Sequence, residues 1–139
     1  MRPLTFQILI AFTALSGATS VGLGAWGAHG LAETLAERNM VAVWETAVFY
    51  HLIHSVALLA LLLYHHVIQT LNPSCRPPIR FPLFAWVGGV LLFSGSLYLL
   101  ALGAPGAVFG PITPLGGIAF LLGWLSLFRL CQPLPSATN

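Results

Sequence analysis

The sequence predicts an all-α integral membrane protein, a four-helix bundle with short loops, and three observations carry that prediction. Of 139 residues, 58% are hydrophobic and only 6% charged, whereas a soluble domain carries roughly a quarter charged residues. So little charge cannot cover a water-facing surface, so lipid must be the solvent. Second, four apolar runs reach or approach the roughly 20 residues that a helix needs to cross the bilayer core. Third, these runs are continuous, whereas barrel strands would alternate every second residue. Together they use nearly the whole chain and leave no soluble domain of useful size. The formal net charge of +2 is too small to argue for nucleic acid, and the first expected partner is the lipid bilayer.

The first span is expected at about 4–26. Arg2 precedes it, but the run is longer than the apolar core of a cleaved signal and reads as a retained helix. Small residues recur on it at Ser16, Ser20, Gly24 and Ala28. The loop that follows holds Leu31 and Leu35 at i,i+4 spacing, the pattern of a short interfacial helix. The second span is expected at 42–64 and the third at 83–102, with Pro82 at its first helical position. Pro73, Pro77 and Pro78 between them predict an extended or turning connection. The fourth span is expected at 114–131, with Thr113 as N-cap and Pro114 at the first helical position. Trp26, Trp44 and Trp86 fall near span ends, as an interfacial aromatic belt requires.

Arginines set the expected orientation. Arg2, Arg76, Arg80 and Arg129 lie at the N-terminus, the second loop and the C-terminal end, against Arg38 alone in the other loops. That bias places both termini in the cytoplasm. There Cys75 and Cys131 would stay reduced, so no structural disulfide is expected.

Lipid is as apolar as leucine, so close packing of small residues must hold the spans together. Gly24 on the first helix, Gly88 and Gly95 on the third, and Gly117 and Gly123 on the fourth are the expected packing positions, with Gly89, Ser96 and Gly116 in the same stripes. Packing within one chain explains them more simply than an oligomer contact.

Polar groups inside a span are expensive and are functional candidates by default. Tyr50-His51-Leu52-Ile53-His54-Ser55 is the richest stretch. On a helix Ala47, His51, His54 and Leu58 share one face, with Glu45 on the far side. The candidate intramembrane site is His54 and His51 with Ser94, Ser96 and Tyr98 as hydrogen-bonding partners. A second candidate, at the outer end, comprises His29, Glu45 and Thr113. Two histidines three apart could both reach a metal, and His29 is a distant candidate for a haem pair. Zinc would require three or four ligands, and no cysteine or carboxylate accompanies the pair. No metal or cofactor is therefore assigned. No nucleophile–base pair, phosphate loop or carboxylate dyad is visible, and no catalytic residue is assigned.

Gly24-Ala25-Trp26-Gly27-Ala28-His29-Gly30, Tyr50-His51-Leu52-Ile53-His54, Leu92-Phe93-Ser94-Gly95-Ser96-Leu97-Tyr98 and Thr113-Pro114-Leu115-Gly116-Gly117 occur in order, followed by Phe120 and Gly123-Trp124. Over almost the entire chain this pattern resembles domain-of-unknown-function family 423. These are YgdD-like small inner-membrane proteins, similar to transmembrane protein 256. The resemblance implies a multi-pass protein of the cell inner (plasma) membrane and carries no established activity. His51 stands where related sequences often have glutamine, which argues against a two-histidine metal site. The leading expectation is a non-enzymatic accessory, assembly or structural subunit, acting as a homo-oligomer or in a larger membrane complex. A small-solute or proton transporter comes second, and a histidine-ligated metal or haem protein third.

Overall fold

The computed structural model describes residues 3–75 and 77–131. Arg2 and Arg76, counted above for orientation, lie outside them, as does the side chain of Cys131. The elements are α1 (Pro3–Ala28), α2 (Ala32–Glu37), α3 (Val41–Leu71), α4 (Arg80–Gly89), α5 (Gly95–Ala101), α6 (Gly106–Phe109) and α7 (Ile112–Ser126). A π-helical turn, Val90–Ser94, joins α4 to α5, and a 3₁₀ turn, Leu127–Cys131, follows α7. Four segments are long and apolar enough to cross a membrane: Leu4–Ala28, Val41–Leu71, Arg80–Ala101 and Gly106–Leu130. The protein is thus an all-helical, multi-pass membrane protein.

α3 runs to Leu71, past the expected end at residue 64. His65 and His66 look like a polar terminus, yet histidine is compatible with a helix interior. The effective stop is Asn72-Pro73, where the proline forces the preceding residue out of helical geometry. Asn72 accordingly adopts φ −138° and ψ 91°. α7 begins at Ile112, before Thr113, and Thr113 makes no N-cap hydrogen bond. α4 begins at Arg80, so Pro82 sits inside the first turn, where amides still lack intrahelical partners.

The small-residue face of α1 packs against α3. Ser20 is fully buried, and a Cβ on Gly24 would lie 3.3 Å from Val48 Cγ1. α3 in turn packs against the third span, and the third span against α7. One core cluster gathers Leu58, Leu61, Leu62, Ile79, Leu83, Trp86 and Phe120. A second, smaller one holds Leu35, Trp44 and Ala101. α2 belongs to this second cluster: Leu35 is buried and Leu31 packs against it. The short helix therefore packs its leucine face onto the bundle.

Two of the three expected belt tryptophans are interior. Trp44 and Trp86 are each 2% exposed, whereas Trp26 is 49% exposed. Position along the helix suggested an interface, but the face of the helix decides burial. The Trp44 indole donates to the Leu23 carbonyl at 3.0 Å, and Gly27 leaves room for its ring.

The loop after α5 turns at Gly103, whose φ of +99° is comfortable only without a Cβ. A Cβ there would also collide with the Arg38 guanidinium. Gly103→Ala is expected to lower stability by about 1–2 kcal/mol, read as a shift of the melting midpoint in detergent. Asn39 (φ 55°) closes α2 in the same left-handed region, which asparagine tolerates.

Candidate functional site

The expected face of α3 is the interior face: Ala47, His51, His54 and Leu58 are all buried. Its two histidines diverge. His54 points to α7, where the Trp124 indole donates to Nε2 at 3.1 Å. Its Nδ1 bonds the Tyr50 carbonyl one turn back at 2.8 Å. A carbonyl only accepts and an indole only donates, so His54 is held as the neutral Nδ1–H tautomer. Its ring stacks on Phe120 at a centroid distance of 3.6 Å, with Trp86 and Trp124 edge-on. Both ring nitrogens are occupied, and a metal at Nε2 would have to displace the Trp124 donor.

His51 faces α1 and α5. Its Nε2 lies 3.1 Å from Ser16 Oγ, and its Nδ1 a long 3.4 Å from the Tyr98 hydroxyl. Ser16 Oγ lies 2.7 Å from Ser55 Oγ, and Ser55 reaches the His51 carbonyl at 2.8 Å. Every group is satisfied if Tyr98 donates to His51, His51 to Ser16, Ser16 to Ser55, and Ser55 to the carbonyl. The direction is fixed by Ser55, whose single hydroxyl proton goes to the carbonyl; running the chain in reverse would break that bond.

The remaining expected partners scatter. Ser96 pairs with Thr113 at 2.7 Å, joining the third span to α7. Thr113, at the start of α7, is thus joined to Ser96 and makes no hydrogen bond to His29 or Glu45. Ser94 is fully buried on the π turn, and its hydroxyl has no hydrogen-bond partner among the described residues. His29 and Glu45 are exposed, and no hydrogen bond or ion pair joins them. Among the described residues no group of three or more His, Cys, Asp or Glu side chains could hold a metal. Cys75 is a buried free thiol.

The glycines separate into two groups. A Cβ on Gly123 would collide with the Trp86 ring, one on Gly89 with the Phe120 ring, and one on Gly116 with the backbone of Phe93. Gly117 is in ordinary contact with Phe93 at 3.7 Å. Gly88, by contrast, has nothing within 4 Å, and Gly95 meets only the Val90 carbonyl at 3.9 Å. The packing seam of the third span therefore follows Gly89, not the Gly88 and Gly95 stripe. Gly89 and Ser96, the other pair seven apart, both meet α7, Gly89 at Phe120 and Ser96 at Thr113, across a π turn that bonds Gly95 N–H to the Val90 carbonyl five residues back.

A cavity of about 420 Å³ opens sideways between α3, the π turn and α7, with His54, Tyr50, Phe93 and Trp124 in its wall. Its surroundings are aromatic, and the His54 and Trp124 nitrogens in its wall already bond each other.

The arrangement can be set beside known proteins. The family model described as a protein of unknown function, DUF423, matches residues 23–117. The chain belongs to the DUF423 family. A UPF0382 membrane protein of Haemophilus influenzae is 40% identical over 118 residues, covering 85% of this chain and 88% of that one. One from Staphylococcus epidermidis is 36% identical over 121 residues, covering 87% and 92%. One from the yeast Schizosaccharomyces pombe is 36% identical over 118 residues, covering 82% and 92%. No solved structure matches. The DUF423 segment takes in both histidines, Tyr98 and the Ser96–Thr113 pair. It ends before Phe120 and Trp124 and begins after Ser16.

The partners missed from sequence are Ser16, Ser55 and Trp124, whereas Tyr98 is an expected partner of the histidines. Ser16 reads there as a packing residue and Ser55 as a neighbour of His54. Trp124 is visible only as the last residue of the family pattern. Phe120 and Trp124 stand four apart on α7, which is the one local signal that they share a face.

Proposed function

We propose that this DUF423 protein is a non-enzymatic accessory or assembly subunit of the inner (plasma) membrane, with both termini in the cytoplasm. The observation that carries this reading is the state of His54. A histidine that binds a substrate, a metal or a travelling proton needs a free nitrogen, and both of its nitrogens are engaged in holding α3 to itself and to α7. A further support is α1, where 11% of the most apolar window is buried, against 39% in α3. Gly17 and Gly22 on α1 have nothing within 4 Å, a surface that another transmembrane helix can approach closely. The partner is a second copy or another membrane protein.

The experiment is gentle solubilisation from the native membrane, followed by identification of what co-purifies in stoichiometric amount. A defined partner or a homo-oligomer is expected. Gly22→Leu or Gly95→Leu should weaken that association at least tenfold while leaving the melting midpoint unchanged. A protein that purifies as a lone monomer, with both variants indistinguishable from it, would remove this reading.

One observation favours a second reading, a proton path. The Tyr98–His51–Ser16–Ser55 chain is a continuous run of hydrogen bonds that links three helices. Proton flux in liposomes that falls in His51→Leu would support it, and flux indifferent to that change would sink it.

A further inference from the structure

The two described arginines of the terminal end, Arg80 and Arg129, line one cleft. Its volume is about 1100 Å³, and Thr5, Leu9, His65 and Phe84 also line it. It lies where the start of α1, the end of α3, the start of α4 and the 3₁₀ turn after α7 meet. Arg80 and Arg129 are both exposed. Neither has an ion-pair partner among the described residues.

The absence of a carboxylate here follows from the sequence. The chain has three acidic residues, Glu33, Glu37 and Glu45, and all belong to α2 or the first turns of α3. Glu45 and His65 are twenty residues apart on one continuous helix, about 30 Å along its axis. The acidic side chains therefore sit at the opposite end of the bundle. No acidic side chain of the protein reaches the cleft, which leaves its two guanidiniums open to an external anion. Leu9 and Phe84 extend the cleft as an apolar wall, and Phe84 is 70% exposed toward lipid. Cationic rim and apolar wall together match an anionic amphiphile.

We propose that this cleft binds an anionic phospholipid from the leaflet on the side of the two termini, its phosphate between Arg80 and Arg129 and an acyl chain along Leu9 and Phe84. Arginine suits the phosphate because its planar fork donates two parallel hydrogen bonds. Basic pockets between transmembrane helices are a recurrent setting for such head groups. The inference is independent of the oligomer reading, since it concerns a different face of the molecule.

The test uses the full-length protein in phosphatidylcholine vesicles, with and without phosphatidylglycerol. Melting midpoints and the lipid retained in native mass spectrometry are the readouts. Phosphatidylglycerol is expected to raise the midpoint and to remain bound. In the double variant R80Q/R129Q its affinity should fall about twenty-five-fold, from roughly fivefold per arginine. R38Q, at the other end of the bundle, should keep the effect. Both changed arginines are exposed and have no ion-pair partner among the described residues, so the double variant should match the wild type in phosphatidylcholine alone. An equal response to phosphatidylglycerol in wild type and R80Q/R129Q would overturn the proposal, as would no response in either. Stabilisation by soluble glycerol phosphate as strong as that by the lipid would overturn it in favour of a free-anion site.

Discussion

Gly116→Leu is expected to separate α7 from the third span and to leave no cooperatively melting bundle in detergent. A Cβ at position 116 would collide with the backbone nitrogen and Cβ of Phe93 and crowd the Leu92 carbonyl carbon. Side chains can rotate out of the way, but the backbone here belongs to the π turn and can yield only if the segment shifts. Overpacking of an ordinary core costs about 1–3 kcal/mol. A whole leucine driven into backbone should exceed that, a large share of a total stability of roughly 5–15 kcal/mol. Gly88→Leu is the matched control, since nothing lies within 4 Å of its Cβ position. It should melt with the wild type. If Gly116→Leu also melts unchanged, the close approach of α7 to the π turn is wrong.

His54→Ala should be the next most damaging change, lowering stability by about 3–5 kcal/mol, as for an aromatic core ring cut to alanine. It removes the ring stacked on Phe120 and strands the Trp124 indole N–H. His54→Phe keeps the stack and loses only the hydrogen bonds, so about 1–2 kcal/mol is expected within a membrane bundle. Adding Trp124→Phe should recover part of that loss, because no buried donor is then left unpaired. Thermal melts of the four proteins in a double-mutant cycle measure the coupling directly. A neutral His54→Phe would mean that the hydrogen bonds contribute nothing and that the histidine is there for another reason. Retention of the fold in the doubly substituted protein, with partner association intact, is what the accessory-subunit reading requires.

Both predictions depend on which face of a helix a residue occupies, and that was legible to different degrees along the chain. On α3 the face was readable: the helix is uninterrupted, so a 100° step places Ala47, His51, His54 and Leu58 together, and all four are buried. On the third span spacing left two stripes, Gly88 with Gly95 and Gly89 with Ser96, and only burial chose between them. Gly89 and Ser96 meet α7, while nothing on another helix lies within 4 Å of a Cβ on Gly88 or Gly95. The π turn at Val90–Ser94 leaves no mark in composition. Tryptophans were placed by depth alone, and depth says nothing about azimuth, so Trp44 and Trp86 proved interior.

Sequence alone determined the solvent, the helical class and the four spans. Those follow from charge poverty and run length, which are sums over many residues and survive local errors. It also determined that the acidic residues lie in one short segment, far from four of the five arginines. Only the tertiary structure decided that His51 looks to Ser16 and Tyr98 while His54 looks to Trp124, and that Arg80 and Arg129 share a cleft. These pairings join residues 35 to 70 positions apart in the chain. They depend on how helices rotate and cross, and in lipid that is settled by van der Waals fit between glycines and rings, information that no single segment contains.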